Sequence, residues 1–425
     1  MSASHLSRRL GVLLLGSGLL AGCYTNPREP PPPTLTAHVA PSGFPPTVRS
    51  LGLDRHFFLA RAEKLRRLRA AAGGRPLRIL ALSGGGAGGA FGAGALLGMS
   101  RRGDRPQFDV VTGVSVGALI APVAFLGSAW DQELADAFDS EWPEHALDRR
   151  GLEFLFRPGL YKSEPLVDVI GHFVTDRLVK AVAHEAARGR LLLVATTDLD
   201  KQEAVIWDMG AIAAQGGERA RVLFRDVLVA SASIPGVFPP VLIHVEGDGK
   251  SYDEMHVDGG TTMPLFIASE IAQLESRRFD AFSGAEIFVL VNTQLAAYPK
   301  STRERPIAVL RKSFSAGLTH SLRSSLELTA AFAQRNGMDF HLSYIPMSYP
   351  YQGSLSLKFP AMHALFDYGA RCAETGRLWT TLEQAIQEEQ QAASTLPRTT
   401  EDCPAPGTAR QPAVPESTAA ASLAR

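Results

Sequence analysis

Only three of the 425 residues are cysteine, Cys23, Cys372 and Cys403, so no disulfide framework organises this chain. Cys372, inside a helical stretch, reads as a buried thiol rather than as half of a bridge to Cys403. Basic and acidic residues number 43 each and the formal net charge is zero, so no field draws in nucleic acid over other partners. No His/Cys/Asp grouping has metal-ligand spacing, and neither a metal nor another cofactor is expected. No internal repeat is visible. Core material is ample: 45% of the residues are hydrophobic and 20% charged, an ordinary globular balance.

The first 22 residues have the layout of a secretory signal: Arg8 and Arg9, an apolar run from Leu10 to Leu20, then small residues before Cys23. That run falls short of the roughly 20 residues needed to cross a bilayer. "LAGC", Leu20 to Cys23, resembles the lipobox of bacterial lipoproteins, which implies lipidation at Cys23 and a membrane anchor. Tyr24 stands where an aspartate signals inner-membrane retention in enteric-type lipoproteins, which leans the expectation to the outer membrane of the cell envelope. Residues 23–50 are rich in proline and read as a semi-extended tether. Within 51–74, Phe58, Ala62, Leu65, Leu68 and Ala72 mark one helical face, while Arg61, Lys64, Arg66, Arg67 and Arg69 crowd the rest. Such a helix either touches anionic headgroups or docks on the domain with a solvated basic side.

From Arg75 short apolar runs alternate with helical stretches. "LRILAL", "FDVVTGV", "RLLLVATTDL", "VLIHV", "MHVDGG", "EIFVLVN" and "FHLSYIPM" read as strands. This rhythm predicts a three-layer α/β/α fold around a mainly parallel sheet, with a core over 75–275, a continuation over 276–394 and a disordered tail over 395–425. Pro306 to Asn336 is a long helical stretch.

Five glycines lie between Gly84 and Gly89, straight after a strand. Gly84-x-Gly86-x-x-Gly89 matches the dinucleotide fingerprint, which also needs an acidic residue closing the next strand. Asp104 lies in a polar turn and Asp109 opens that strand instead of closing it. What closes it is Gly113-Val114-Ser115-Val116-Gly117, a G-x-S-x-G between strand and helix, the setting of a nucleophile elbow. The glycine turn then becomes an oxyanion hole, with Gly84, Gly85 and Gly86 supplying amides to a developing negative charge. Asp258, at a strand end and followed by Gly259-Gly260, is either a turn aspartate or the base for Ser115.

These motifs, with "ASASIPGVFPP" from Ala230 to Pro240, resemble the patatin-like phospholipases in content and order from about Leu77 to at least Leu265. Gly88 departs from the pattern, since the family usually carries Arg or Lys there. The resemblance implies a lipid acyl hydrolase acting on phospholipid, lysophospholipid or related esters through a Ser115–Asp258 dyad, with Gly89, Gly113, Gly117, Gly259 and Gly260 shaping the motifs. Two rivals remain open: an esterase with a Ser-Asp-His triad, using His320, His341 or His363, and a catalytically silent surface lipoprotein that binds lipid or protein. Head group, acyl chain and oligomeric state have no signature in the sequence.

Overall fold

The computed structural model describes residues 28–36, 38–52, 54–71, 73–148, 158–267, 283–296, 301–394, 400 and 402–403. Residues 1–22, expected to be a signal segment, Cys23 and most of the tail lie outside them. The strands are β1 (Ala40–Pro41), β2 (Arg49–Leu51), β3 (Arg78–Leu82), β4 (Val110–Val114), β5 (Leu191–Asp198), β6 (Glu203–Asp208), β7 (Val241–Gly247), β8 (Lys250–Asp258), β9 (Glu286–Val291) and β10 (Asp339–Tyr344). The helices that position the site are α1 (Arg55–Ala71), α2 (Gly89–Arg102), α3 (Val116–Leu126), α4 (Gly217–Ala232), α5 (Pro306–Arg335), α6 (Phe359–Glu374) and α7 (Leu382–Ser394).

The centre of the sheet is parallel, in the order β5-β4-β3-β9-β10. Its strands alternate between two apolar cores, as the two-residue period of a covered sheet requires. Leu80 and Leu82 join Phe91, Ile120, Phe224 and Phe366 on one face. Ile79 and Ala81 join Leu65, Leu326, Phe332 and Ala385 on the other. Helices therefore cover both faces, giving the three layers the α/β rhythm predicts.

Beyond β5 the sheet turns antiparallel, and here two strands meet end to end. Ala195 of β5 pairs with Val114, the last residue of β4. The next residue, Thr196, pairs with Asp258, the last residue of β8. Because β6 pairs with these same β5 residues on the opposite edge, β4 and β8 share one edge of β5. One runs parallel to β5 and the other antiparallel, so their carboxyl ends abut.

Three features differ from the sequence reading or resolve it. From Arg28 the proline-rich segment is laid along the sheet instead of hanging free. Arg28 pairs with Asp200 at 2.5 Å, the amide of Asp253 donates to Glu29 O, Val48 is fully buried, and β1 and β2 pair with β7 and β6. A proline-rich chain is already extended, and an edge position tolerates its missing N–H groups. Second, Cys372 is not a free thiol: it forms a disulfide with Cys403, across a sequence separation of 31. The returning segment is held by Thr400 N on Ser348 O and Tyr368 OH on Asp402 O, so weak core composition did not prevent it from docking. Third, α1 packs on the domain. Leu65 is buried, Arg61 pairs with Asp208 at 2.8 Å, and Arg69 donates to Ser283 O, while Arg66 and Arg67 stay outside with Glu63. The side chains of Phe58 and Ala62, and Ala72, fall outside the described residues.

Candidate active site

Ser115 sits on the turn between β4 and α3 with φ 55° and ψ −127°, a conformation few side-chain-bearing residues adopt. The flanking glycines make this turn possible. A Cβ on Gly113 would strike the Gly117 carbonyl, and one on Gly117 would strike the Leu82 carbonyl. At the abutting strand end, Asp258 receives the hydroxyl proton donor: Ser115 Oγ donates to Asp258 Oδ2 at 2.6 Å. Both residues are buried. Asp258 Oδ1 accepts from the Gly260 amide at 2.7 Å, and a Cβ on Gly259 would overlap the Ala195 carbonyl, so the two glycines after the aspartate fix its approach to β5. Burial pushes the Asp258 carboxyl up to about 7, against the lowering effect of the hydrogen bonds from Ser115 and Gly260. A carboxyl held there is a far better base at neutral pH than an exposed one.

The glycine turn lies directly beside the serine, where a Cβ added at Gly84 would stand 3.7 Å from Ser115 Oγ. Its amides are not equivalent. Gly84 N already donates to Pro264 O at 3.3 Å, Ala87 N to Ser354 O and Gly88 N to Gly85 O. Among the described residues, the amides of Gly85 and Gly86 have no such partner, which leaves these two for an oxyanion. Gly86 has φ +56°, and a Cβ on Gly85 would collide with the Asn292 carbonyl. Gly89 lets α2 lie against Val116 at the start of α3.

Three residues escaped the sequence reading. Ser231 Oγ accepts from the Ser115 amide at 3.0 Å and donates to Ala195 O at 2.7 Å, tying the elbow to β5. It lies in the Ala230–Pro240 motif, which was visible without a role; the same motif receives the Asp258 amide on Ser233 O. Asn292, just past β9, donates from Nδ2 to Ser83 O and from its amide to Ser83 Oγ. Tyr351 donates its phenol proton to Gly85 O at 3.0 Å. At Gly88, where the family usually places a basic side chain, a Cβ would strike the Asn292 carbonyl and lie 3.0 Å from the Tyr351 hydroxyl. The loop is thus held from outside by Asn292 and Tyr351. A cavity of about 240 Å³ lies between the Tyr351 segment and α6, but neither Ser115 nor Asp258 lines it.

The three histidines of the triad alternative are engaged elsewhere. His341 stacks on Phe288 with ring centroids 4.7 Å apart, His363 pairs with Asp139, and His320 is exposed on α5. Asp198, Glu254 and His256 come within metal-ligand reach of one another. However, the Lys201 ammonium bonds Asp198 at 2.6 Å and Glu254 at 2.5 Å, Arg49 pairs with Glu254, and His256 Nδ1 meets Thr196 Oγ1. Two cations already balance the carboxylates, and the group reads as a buried ionic clamp between β5 and β8.

Fold and site together define a mixed α/β protein built around a buried Ser–Asp pair at the carboxyl ends of its strands. Residues 80–269, which include both members of the pair, match the family model described as patatin-like phospholipase. Among solved structures it is similar to VipD from Legionella pneumophila, with TM-score 0.35 and 13% identity, over 69% of this chain and 67% of that one. No curated protein sequence matches it.

Proposed function

We propose that the protein is a lipid acyl hydrolase that uses Ser115 as nucleophile and Asp258 as its only base. The observation that carries this reading is the 2.6 Å hydrogen bond from Ser115 Oγ to the buried Asp258 carboxylate, on a strained elbow beside the glycine turn. Ser115 Oγ attacks the acyl carbonyl carbon while its proton passes to Asp258. The carbonyl oxygen takes the negative charge against the Gly85 and Gly86 amides, with the N-terminal end of α3 adding to the field. Collapse breaks the ester C–O bond, and the leaving alkoxide takes the proton from Asp258. Water, deprotonated by Asp258, then attacks the acyl-serine, releasing the fatty acid and returning the proton to Ser115. The substrate class is a phospholipid, lysophospholipid or related acyl ester, as the match to the family model suggests. The test is product analysis on a panel of phospholipids, lysolipids and simple esters: release of free fatty acid that Ser115→Ala and Asp258→Asn each abolish. Unchanged release in either variant refutes the dyad.

The setting belongs to the same proposal: a lipid-anchored protein of the cell envelope, held through Cys23. The Cys372–Cys403 disulfide supports an oxidising compartment. Arg28 is held to Asp200, and the five residues from Cys23 to it can span no more than about 17 Å. Mass spectrometry of the mature N-terminus decides it; anything other than a lipidated Cys23 removes the anchor.

A further inference from the structure

The long helix α5 is only half embedded. Its apolar residues recur in steps of four: Leu310, Phe314, Leu318, Leu322 and Leu326. Leu322 and Leu326 are buried in the core under the sheet, at 4% and 1% exposure, and Leu318 is half-buried. Among the described residues the same row continues uncovered at Phe314 and Leu310, exposed to 37% and 72%, and Val309 beside them is exposed to 50%. An apolar row that packs at one end and meets water at the other is a surface built for something else.

The topology says where that surface points. The helix ends near the start of β9, where Gly284 N donates to Asn336 O, and its middle is pinned past the end of β9 by Arg323 on Leu295 O. It therefore runs antiparallel to β9 and β10, and from Arg323 back to Pro306 it overhangs the carboxyl edge of the sheet by about 25 Å. Ser115 and Asp258 lie on that edge, and Arg28 is held to Asp200 just beyond the end of β5. Exposed Arg303, Arg305, Arg311 and Lys312 flank the apolar residues, against the single acid Glu304.

We propose that the overhanging half of α5 docks on an anionic lipid surface, with Val309, Leu310 and Phe314 entering the headgroup boundary and the four cations meeting lipid phosphates. Apolar side chains flanked by cations are the chemistry that binds an interface and not an aqueous protein surface of mixed charge. Docking through this helix would face the active-site edge to the bilayer. The proposal takes its purpose from the lipid-ester reading, but its measurement does not depend on catalysis.

The experiment uses the full chain carrying Cys23→Ser, so that no lipid anchor contributes. Flotation is measured with phosphatidylethanolamine vesicles with and without phosphatidylglycerol, alongside kcat/KM on a water-soluble short-chain ester. The protein should float with the anionic vesicles and release at high salt. Leu310→Ser with Phe314→Ser, and separately Arg311→Glu with Lys312→Glu, should each weaken association about tenfold or more, while leaving soluble-ester turnover unchanged. Undiminished vesicle binding in both double variants, or no binding by the parent, overturns the proposal. So does an apolar variant that turns a dimer into a monomer without altering vesicle binding, which would make a second copy the occupant. Absent ester turnover with intact vesicle binding would instead strike the catalytic reading alone.

Discussion

Replacing Asp258 by asparagine should destroy activity and stabilise the fold, in a pH-dependent way. Its carboxyl titrates at about 7 in the folded chain against 3.8 when free, chiefly because it is buried. The folded state thus binds the proton more tightly than the unfolded one. Between those two values unfolding releases a proton, so stability falls as pH rises, and the loss is complete above the folded value. At about 1.4 kcal/mol per pH unit the ionised carboxylate costs the fold about 4 kcal/mol in total, and more than half of it accrues between pH 5 and pH 8. Asparagine keeps the shape and never ionises: its Oδ1 can accept from the Gly260 amide while its Nδ2 donates to Ser115 Oγ. Asp258→Asn should therefore gain on the parent protein by roughly 2–3 kcal/mol between pH 5 and pH 8 in denaturant titrations, while losing about 10²–10⁴-fold or more in kcat/KM. The parent's own kcat/KM should fall about tenfold per pH unit below neutrality as the base is protonated. An advantage of the same size at both pH values would show that Asp258 does not ionise in a buried site, and the account of its basicity would fail.

The remaining predictions concern the shell around the pair. Alanine at His320, His341 or His363 should leave most ester hydrolysis in place, and a loss as deep as that of Ser115→Ala in any one of them would restore the triad. Tyr351→Phe removes only the hydroxyl bound to Gly85 O; kcat should drop about tenfold with KM nearly unchanged, since the oxyanion turn is loosened and the substrate site is not. An equal fall in thermal stability and no kinetic change would make Tyr351 purely structural. Cys372→Ser with Cys403→Ser should lower stability by about 2–4 kcal/mol, read by denaturant midpoint, with activity retained at low denaturant.

The serine and aspartate of the buried pair are legible because each sits in a short motif whose geometry is local. G-x-S-x-G names an elbow, and Asp-Gly-Gly at a strand end names an aspartate that must approach another backbone closely. The parts that were not legible depend on distant backbone. Nothing in "SYPYQGS" reveals that Tyr351 will reach Gly85, because that contact spans a sequence distance of 266 and has no periodicity to betray it. The proline-rich 28–50 segment has the composition of a tether, and only the vacant edges of β6 and β7 turn it into strands. Strand β6, "EAVIWD", was missed because a short apolar run leading into "MGAIAA" fits a helix equally well. The disulfide was missed since composition describes a tail's own packing and not what it can be tethered to.

The abutment of β4 and β8 on β5 makes one strand a ruler for the chemistry. Ser115 and Asp258 are 143 positions apart in the chain, yet their separation is set by two adjacent rungs, Ala195 and Thr196. Loops between them can lengthen or shorten without touching that distance. A one-residue slip of β8 along β5 cannot be absorbed: it would carry the carboxylate about 3.4 Å along the strand and turn it to the other face. The β7–β8 hairpin is also a lever: a force that slides it against β5 changes the distance between Asp258 and Ser115.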